Sequence, residues 1–526
     1  MKVLISDHLS PQGIEVLKRG GLQVEVRTKL TPEELIREMG GYEGLVIRSG
    51  TQVTSAVIEA AGRLKVIGRA GSGLDNVDLD AATRRGIVVM NTPGGNTVTT
   101  AEHAMALLLS LARAIPQATA SVKAGRWEKQ KFMGVELYNK NLGVIGLGQI
   151  GGYVAKLAQG FMMNVIAFDP YLSEDRAKKM GIEQVTLEDL FRRSDFISIH
   201  TPLTPETKNL INAQSIAKMK DGVRIVNCAR GGIVNEADLY QALVAKKVAG
   251  AAFDVFEKEP ADSQNPLLTL DNFICSPHLG AATTEAQENV ALAIAEQIVD
   301  YLVHGVIRNA VNLPSIPADI LPAVRPYLIL AEKLGAFAAQ VLEGGLEKVA
   351  IEYRGDVANL ATTPITVAAL RGLLNPILED SVNYVNAPVI AKERGIEIKE
   401  TRSTDAGDFT SLIILELQAG KGVVRVGGTL YRRKDPRIVD LNGFPLEVVP
   451  EGHMLVLSNL DQPGVIGSLG NFLGRHQINI ASMQLGREKP GGKAISVIGI
   501  DASVTPDLLQ EIKKLPHILS AKQIKL

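Results

Sequence analysis

Cysteine is scarce in this sequence: Cys228 and Cys275 are the only two among 526 residues. Each lies within a short apolar stretch that is typical of a strand. We therefore expect two buried thiols in a reducing compartment, with a disulfide as the less favoured alternative.

An excess of charge of one sign is also lacking. The chain has 56 Lys and Arg against 57 Asp and Glu, which gives a formal net charge of −1 at pH 7. A general binder of nucleic acid or of other polyanions would present a strongly basic surface. No nucleic-acid partner is therefore expected.

Long apolar runs are missing as well, because no segment approaches the ~18 uninterrupted apolar residues of a membrane span. Asp7 and His8 interrupt the first apolar run, which predicts a strand there and not a signal peptide. We expect no membrane partner and a cytoplasmic location. A chain of 526 residues is too long for a single core, so several domains are expected.

A glycine motif is present between Asn141 and Asp169, where a short apolar strand, a glycine turn, a helix and a second strand follow one another. Gly146 allows a sharp turn, Gly148 a close approach to a pyrophosphate, and Gly151 the packing of helix on strand. The phosphates would lie at the helix N-terminus, where N–H groups and the helix dipole stabilise an anion. Asp169 would bind the ribose and repel a 2′-phosphate, which predicts NAD as the cofactor and disfavours NADP.

The first part of the chain alternates apolar strands with amphipathic helices, a pattern that predicts parallel sheets covered on both faces. A long helix is predicted from Val98 to Ala120, just before the glycine motif. A second long helix after Ala281 could cross back and complete the first domain. The predicted domains are therefore a discontinuous one, residues 1–97 and 282–311, and a second one, residues 98–281.

The remainder of the chain has a different organisation. The segment NLPSIPADILP, residues 312–322, carries three prolines and is typical of a linker. A mixed α+β region is predicted over residues 317–450. Residues 452–526 follow the order strand, helix, strand, strand, helix, strand, which is that of a ferredoxin-like domain.

Three ionisable residues follow strands of the second domain: Arg230, Glu259 and His278. Oxidation of a hydroxy acid requires a cation for the carboxylate, a base for the hydroxyl proton and a partner that orients the base. Arginine, histidine and a carboxylate suit these roles in turn. We therefore predict that these three residues are catalytic. For His278 taken alone, a structural histidine is the alternative.

The segments GLGQIG, NCARGG, DVFEKEP and SPHLGA resemble those of the D-isomer-specific 2-hydroxyacid dehydrogenases. Within that family the chain is most similar to the long-form members that act on 3-phospho-D-glycerate, because RAGSGLDNVD, WEKQKFMGVEL and two extra C-terminal regions also match. The resemblance implies a flavodoxin-like substrate domain, a Rossmann-type NAD domain, an intervening α+β domain and a ferredoxin-like ACT regulatory domain.

The resemblance also assigns roles to individual residues. Arg230 would bind the substrate's carboxylate or carbonyl, His278 would donate or accept the proton, and Glu259 would be its partner. Gln149 stands where close relatives often have arginine, so only the backbone role at the pyrophosphate carries over there. The implied NAD contacts are Ser72, Gly146, Gly148, Gln149, Ile150, Gly151, Asp169, Thr201, Cys228, Ala229, Arg230, Asp254, His278, Leu279, Gly280 and Ala281.

A phosphorylated substrate requires further cations. Arg48 and Arg69 end apolar strands, and Lys129 and Lys131 lie in the WEKQKF turn. Arg48 is favoured because IRSG matches the family's substrate segment. A solvated surface charge is the alternative, for the lysines more than for Arg48.

The C-terminal regions suggest regulation. Asn459, Asp461 and Asn479 match the positions that hold an amino acid in serine-sensitive relatives, which implies L-serine as an effector. Capping of the following helix is the alternative for Asp461. The RRKDPR run, residues 432–437, is either an anion site or a solvated charge run. ACT domains usually pair across a subunit interface, so a homo-oligomer, a dimer or tetramer, is expected.

Together these expectations describe an NAD-dependent enzyme that oxidises 3-phospho-D-glycerate to 3-phosphohydroxypyruvate, the first step of L-serine biosynthesis. The alternatives are a reductase of glyoxylate, hydroxypyruvate or 2-oxoglutarate on the same scaffold, and a non-enzymatic NAD-sensing protein. NAD is the only cofactor expected, and no metal site is predicted.

Overall fold

The computed structural model of the chain describes residues 1–314, 316, 320–378, 382–420 and 422–526. Within these residues four β-sheets follow one another along the sequence. The predicted linker, residues 312–322, and the predicted start of the intervening domain at residue 317 lie partly outside the described residues.

The first sheet is parallel and has helices on both faces. Its elements are β1 (Lys2–Ile5), α1 (Pro11–Arg19), β2 (Gln23–Val26), α2 (Pro32–Glu38), β3 (Gly44–Ile47), α3 (Ser55–Ala60), β4 (Val66–Arg69), α4 (Leu79–Arg84) and β5 (Val88–Met90). The strand order is β2-β1-β3-β4-β5, which is the flavodoxin-like order. All four residues of β3 are buried, as expected of a central strand covered on both sides.

The second sheet is also parallel and has seven strands. Its elements are α5 (Thr97–Ala112), α6 (Ile115–Lys123), β6 (Asn141–Ile145), α7 (Gln149–Gly160), β7 (Asn164–Phe168), α8 (Glu174–Lys179), β8 (Glu183–Gln184), α9 (Leu187–Arg193), β9 (Phe196–Ile199), α10 (Ala213–Ala217), β10 (Val223–Asn227), α11 (Glu236–Val244), β11 (Val248–Phe253) and β12 (Phe273–Cys275). The order β12-β11-β10-β9-β6-β7-β8 reverses direction between β6 and β9. Doubly wound sheets bind dinucleotides at such a switch point.

Two sequence predictions are wrong in this region. The helix predicted from Val98 to Ala120 is broken, because Ala114 adopts a left-handed conformation (φ 49°) just before Pro116. A proline inside a continuous helix would clash with the preceding turn. Cys275 is an exposed free thiol and not a buried one, since β12 is the edge strand of the sheet. Cys228 is buried and free, as predicted.

No single helix in the described part of the chain is long and apolar enough to cross a membrane, while the bent pair of α5 and α6 meets that test by length and composition only.

The chain returns to the first sheet through α12 (Thr284–His304). Ile294 and Ile298 of this helix belong to the same buried cluster as Val3 and Val66 of the first sheet. Two passages of chain therefore join the first and second sheets, one leading into α5 and one leading into α12. They touch each other, because the hydroxyl oxygens of Thr99 and Thr283 lie 3.3 Å apart.

The third sheet is mixed. Its elements are α13 (Leu321–Val341), β13 (Leu346–Gly355), α14 (Thr362–Leu378), α15 (Ala387–Glu393), β14 (Glu397–Ser403), β15 (Ser411–Ala419), β16 (Gly422–Tyr431), β17 (Asp435–Leu441) and β18 (Phe444–Val448). The order is β14-β13-β15-β16-β17-β18, and only the pair of β13 and β14 is parallel among the described strands. The region contacts the first sheet through Asn383, whose side-chain amide donates to the carbonyl of Gly86 at 2.8 Å.

The fourth sheet confirms the predicted ferredoxin-like arrangement. Its elements are β19 (His453–Leu460), α16 (Val465–Arg475), β20 (Ile480–Arg487), β21 (Lys493–Ile500), α17 (Pro506–Lys513) and β22 (Ile518–Lys525), with strand order β20-β21-β19-β22. Leu455 and Leu457 pack beneath the two helices. Met454 and Val456 point to the other face and join the core of the third sheet.

Candidate active site

The glycine turn after β6 has the geometry that the motif predicts. Gly146 has a φ of +87°, in the region that favours glycine, and a Cβ there would lie 2.6 Å from the carbonyl oxygen of His200. A Cβ at Gly151 would overlap the carbonyl oxygen of Gly146, so α7 packs closely on the turn. A Cβ at Gly148, the residue before α7, would meet open space. The turn therefore leaves room for a ligand at the first residues of a twelve-residue helix.

Asp169 follows β7, and its carboxylate supports the glycine turn. One oxygen accepts from the backbone N–H of Leu147 at 2.8 Å, and the other accepts from that of Tyr171 at 2.8 Å. Each carboxylate oxygen can accept a further hydrogen bond. Asp169 therefore fixes the turn and retains acceptor capacity for a ligand hydroxyl.

His278 and Glu259 form a hydrogen-bonded pair at the carboxyl ends of β11 and β12. The Nδ1 atom of His278 lies 2.7 Å from a carboxylate oxygen of Glu259. The other oxygen of Glu259 accepts from the backbone N–H of Phe256 at 3.1 Å. With Nδ1 engaged, Nε2 is the ring nitrogen left for a ligand.

The electrostatics of this pair are mutually consistent. The hydrogen bond to Glu259 raises the pKa of His278 above its ordinary value, although burial opposes this shift. Burial alone would raise the pKa of Glu259, but the hydrogen bonds from His278 and Phe256 outweigh it and lower that pKa. The pair therefore favours a carboxylate facing an imidazole whose protonated form is stabilised.

The loop that carries His278 is held by a buried network around Asp254, which is 1% exposed. The carboxylate of Asp254 accepts from the hydroxyl of Ser276 at 2.6 Å and from the backbone N–H groups of Leu279 and Gly280 at 2.7 and 2.8 Å. The Nε2 atom of His103 lies 2.9 Å from the Ser276 hydroxyl. Sequence reasoning missed both residues: His103 lies within α5, and Ser276 was given no role although it directly follows β12 in the SPHLGA segment.

Arg230 follows β10 and reaches towards the first sheet. Its Nε lies 2.9 Å from a carboxylate oxygen of Asp75, and its Nη1 donates to the carbonyl of Ala229 at 2.6 Å. Sequence reasoning also missed Asp75, whose only signal is the RAGSGLDNVD segment in which it lies.

Arg48 and Arg69 end β3 and β4 on the opposite wall of the same cleft. The cleft has a volume of about 780 Å³, and Arg230, Glu259 and His278 also line it. The side chain of Arg69 donates to Asn76 at 3.1 Å. Burial, together with the nearby charge of Arg230, lowers the pKa of Arg69 to about 10, so that it remains cationic at neutral pH. The structure thus brings three arginines and the histidine pair to one cleft.

The structure does not bring Lys129 and Lys131 to this cleft. Both lie in a short 3-10 turn, Lys129–Phe132, and both are exposed. Neither residue lines the cleft or the adjoining pocket.

The adjoining pocket has a volume of about 350 Å³ and lies at the switch point of the second sheet. The buried hydroxyls of Thr100 and Thr201 have no hydrogen-bond partner there, which fits a pocket built for a polar ligand. Burial lowers the pKa of His200 to about 4, so its ring is neutral. The lining residues that match implied NAD contacts are Ser72, Ile150, Thr201, Cys228, Ala229, Arg230, Asp254, His278, Gly280 and Ala281.

Two implied NAD contacts, Gln149 and Leu279, do not line this pocket. The side-chain oxygen of Gln149 accepts from the hydroxyl of Thr97 at 3.2 Å, so it is turned towards the passage into α5. Leu279 does not line the pocket, and its backbone N–H is used by Asp254. Thr100, Asn96 and His200 line the pocket without having been predicted.

The three predicted effector residues are not together within one chain. Asn459 pairs with Ala494 at the beginning of β21. The backbone carbonyl of Asn479 instead accepts from the backbone N–H of Asp501, just beyond the end of β21. Roughly seven residues of extended chain, at about 3.3 Å each, separate the two positions by about 23 Å.

The capping alternative for Asp461 is wrong. The helix α16 begins at Val465 behind Gly464, whose φ of 92° takes the chain into the helix. The carboxylate of Asp461 instead accepts from the N–H of Gly491 at 3.3 Å and pairs with Arg487 at 3.4 Å.

Comparisons with known proteins agree with this architecture. A family model described as the NAD binding domain of D-isomer specific 2-hydroxyacid dehydrogenases matches residues 105–280. The D-3-phosphoglycerate dehydrogenase intervening domain matches residues 323–442, and the ACT domain matches residues 453–517.

Relatives match over the whole chain. The D-3-phosphoglycerate dehydrogenase of Archaeoglobus fulgidus is 47% identical over 100% of both chains, and that of Bacillus subtilis is 42% identical over 100% of this chain and 99% of its own. Among solved structures, D-lactate dehydrogenase from Aquifex aeolicus complexed with NAD and lactic acid is 29% identical, with a TM-score of 0.54. The match covers 60% of this chain and 100% of that one.

These similarities cover every sheet of the structure, including the two that a hydroxyacid dehydrogenase of minimal length lacks. The chain therefore belongs to the D-3-phosphoglycerate dehydrogenase family, within the NAD-dependent D-isomer-specific 2-hydroxyacid dehydrogenases.

Proposed function

We propose that this enzyme oxidises 3-phospho-D-glycerate to 3-phosphohydroxypyruvate and so opens L-serine biosynthesis. The observation that carries the proposal is the set of three arginines that share one cleft with the His278–Glu259 pair. A substrate with a carboxylate at one end and a phosphate at the other requires cations in two places. The names of the full-length relatives support the same substrate.

In this proposal the arginines divide the two anionic groups between them. Arg230, which lies nearest the histidine pair in the second domain, binds the carboxylate. Arg48 and Arg69, on the wall formed by the first sheet, hold the phosphate. Guanidinium groups suit both anions, because their planar fork donates two parallel hydrogen bonds.

His278 acts as the base in the oxidation. Its Nε2 accepts the proton of the substrate C2 hydroxyl, while Glu259 at Nδ1 stabilises the imidazolium that forms. In the reverse direction the same nitrogen returns the proton to the carbonyl oxygen. The buried carboxylate of Asp254 keeps the loop of His278 in place through Ser276 and two backbone N–H groups.

The residues present fit NAD. Gly148 leaves space at the start of α7 for the pyrophosphate, Asp169 has acceptor capacity for the ribose, and the unpaired hydroxyls of Thr100 and Thr201 face the pocket next to the cleft. When bound, NAD supplies the acceptor for the hydride that leaves C2 of the substrate.

The experiment that tests this proposal compares substrates. Steady-state NADH oxidation by the purified full-length protein is measured with phosphohydroxypyruvate, hydroxypyruvate, glyoxylate and 2-oxoglutarate. We expect the highest kcat/KM with phosphohydroxypyruvate. A higher value with one of the other 2-oxo acids would assign the enzyme to that reaction, and no turnover with any of them would favour an NAD-sensing role.

Asp169 provides a prediction about cofactor choice. We expect Asp169→Ala to weaken NADH binding and to narrow the gap in kcat/KM between NADH and NADPH. The substitution removes ribose hydrogen bonds and the repulsion of a 2′-phosphate, and it also frees the glycine turn at Leu147. Asp175→Ala, an exposed acid on the nearby helix α8, is the matched control. A wild-type preference for NADPH would refute the assignment.

The sheets support the proposed division into domains. The first domain would comprise residues 1–97 and 282–311, because α12 packs on the first sheet. The second would comprise residues 98–281, and the intervening and ACT domains residues 317–450 and 452–526. A cytoplasmic location remains a prediction from the sequence.

Regulation by L-serine and assembly into a homo-oligomer belong together in this proposal. Asn459 and Asp461 lie near the beginning of β21 and Asn479 near its end, so one chain does not gather all three. We propose a two-fold pairing of ACT domains in which Asn479 of one copy lies beside Asn459 and Asp461 of its neighbour.

Inhibition by L-serine tests this arrangement. We expect Asp461→Ala to raise the half-inhibitory concentration of L-serine by at least about tenfold, because it removes the carboxylate proposed to bind the ammonium group, and truncating one partner of a buried charge pair costs about 2–5 kcal/mol. Asn479→Ala should do the same, whereas Asp507→Ala on the exposed surface of α17 should not. Unchanged inhibition in Asp461→Ala would place the effector elsewhere.

A further inference from the structure

The ion pair between Asp75 and Arg230 crosses the cleft. Asp75 lies in the loop after β4 of the first sheet, and Arg230 follows β10 of the second sheet. The Nε of Arg230 and a carboxylate oxygen of Asp75 are 2.9 Å apart. The Asp75 side chain is 66% exposed, so neither burial nor packing explains why it reaches across to this guanidinium.

The remaining hydrogen-bond donors of Arg230 are placed just as definitely. Nη1 donates to the carbonyl of Ala229 at 2.6 Å. Nη2 faces Gly73, where a Cβ would overlap it. Two fixed acceptors therefore define the plane of the guanidinium, whereas Nη2 lies beside Gly73 at the cleft and makes no hydrogen bond within the described residues.

The surroundings show why such an orientation needs a counter-charge. Arg48 and Arg69 line the same cleft, and the charge of Arg230 contributes, after burial, to the lowered pKa of Arg69. An arginine without a local carboxylate would be repelled from this wall. Asp75 offsets that repulsion while it leaves Nη2 unused.

We propose that Asp75 is a positioning residue for Arg230, holding its Nε so that the Nη2 edge receives the carboxylate of a 2-hydroxy or 2-oxo acid. The role rests on the proposed function of the cleft. Because the two residues belong to different sheets, the guanidinium is oriented only while the two walls of the cleft stand at this separation. Substrate binding is thereby coupled to the arrangement of the two domains.

An alternative role for Asp75, as a stand-in for the substrate carboxylate, predicts the opposite change in KM. If Asp75 merely occupied the place of the substrate carboxylate, its removal would free Arg230 and lower the KM for the 2-oxo acid. If Asp75 positions Arg230, its removal raises that KM. The sign of the change therefore separates the two.

The test uses the full-length enzyme and the variants Asp75→Ala, Asp75→Asn and Asp80→Asn. Asp80 is an exposed acid in the first turn of α4, so its variant is a charge-matched control. We expect Asp75→Ala to raise the KM for phosphohydroxypyruvate about tenfold, which corresponds to about 1.4 kcal/mol of lost binding free energy. The kcat and the KM for NADH should stay close to the wild type.

The asparagine variant separates orientation from charge. Its amide oxygen can still accept from Nε, so Asp75→Asn should raise the KM less than Asp75→Ala. It is also isosteric with aspartate, which keeps the test valid if the alanine variant fails to fold. A KM that is lowered in Asp75→Asn, or unchanged in both Asp75 variants, with Asp80→Asn at the wild-type value, would overturn the proposal.

A second substrate distinguishes this failure from a failure of the proposed function. Hydroxypyruvate shares the carboxylate but lacks the phosphate, so Asp75→Ala should raise the KM for both compounds by a similar factor. If hydroxypyruvate proves to be the better wild-type substrate, the proposed substrate is wrong. The role of Asp75 can still be judged in that case, because both compounds carry the carboxylate that Arg230 is proposed to bind. A rise confined to phosphohydroxypyruvate would move Asp75 to the phosphate side and contradict the proposal.

Discussion

Replacing His278 by alanine is expected to lower kcat by about 10²- to 10⁴-fold, the range that general acid–base catalysis contributes. The substitution removes the nitrogen that exchanges the proton of the substrate hydroxyl. It leaves the glycine turn and Asp169 intact, so the KM for NADH should change little. Steady-state kinetics in both directions would measure both values. Unchanged turnover would remove His278 from the mechanism.

Glu259→Gln is the companion variant, and its effect should appear in the pH profile. Oxidation requires neutral His278, so the rate rises as the pH passes upward through the pKa of this residue. Glu259 raises that pKa, and a neutral glutamine would lower it. The rise in the oxidation rate should therefore move to lower pH, with a smaller loss of kcat than in His278→Ala.

Replacing Arg48 by alanine is expected to impair phosphohydroxypyruvate far more than hydroxypyruvate. Removing one partner of a desolvated charge pair costs about 2–5 kcal/mol, or about 30- to 4,000-fold in kcat/KM. Only the first substrate carries the phosphate that Arg48 is proposed to bind. The measurement is the ratio of kcat/KM for the two substrates.

The control for this ratio of kcat/KM values is a variant that removes an arginine elsewhere in the first domain. Arg63→Ala removes an exposed arginine from the amino end of the same sheet, where it pairs with Glu43. It should leave the ratio unchanged. Equal losses for both substrates in Arg48→Ala would assign Arg48 to the carboxylate or to the structure of the domain.

Sequence reasoning succeeded where chemistry is local. The strands of both parallel sheets are short apolar runs, and the turn at Gly146 requires the positive φ that only glycine adopts readily. Arg230, Glu259 and His278 could be placed near one another because carboxyl ends of parallel strands meet at one edge. The structure confirms that these three residues line one cleft, whereas their catalytic roles remain predictions.

It failed where contacts join distant parts of the chain. Asp75 lies 155 positions from Arg230 in the sequence, and His103 lies 173 positions from Ser276, so no local sequence pattern predicts either contact. The capping role for Asp461 was wrong because Gly464 provides the helix start through its own conformation. The separation of Asn459 from Asn479 follows from strand pairing, which spacing along the sequence does not reveal.

The two adjacent passages between the first and second sheets have a mechanical consequence. A single connection would allow the first domain to rotate about several axes relative to the second. Two connections that touch at Thr99 and Thr283 form a hinge with one main axis. Two such connections restrict rotation about other axes, so opening and closing of the cleft is the motion that we expect. Closure would then carry Arg48 and Arg69 along one path towards Arg230, and the two connections would set how reproducibly the substrate is aligned.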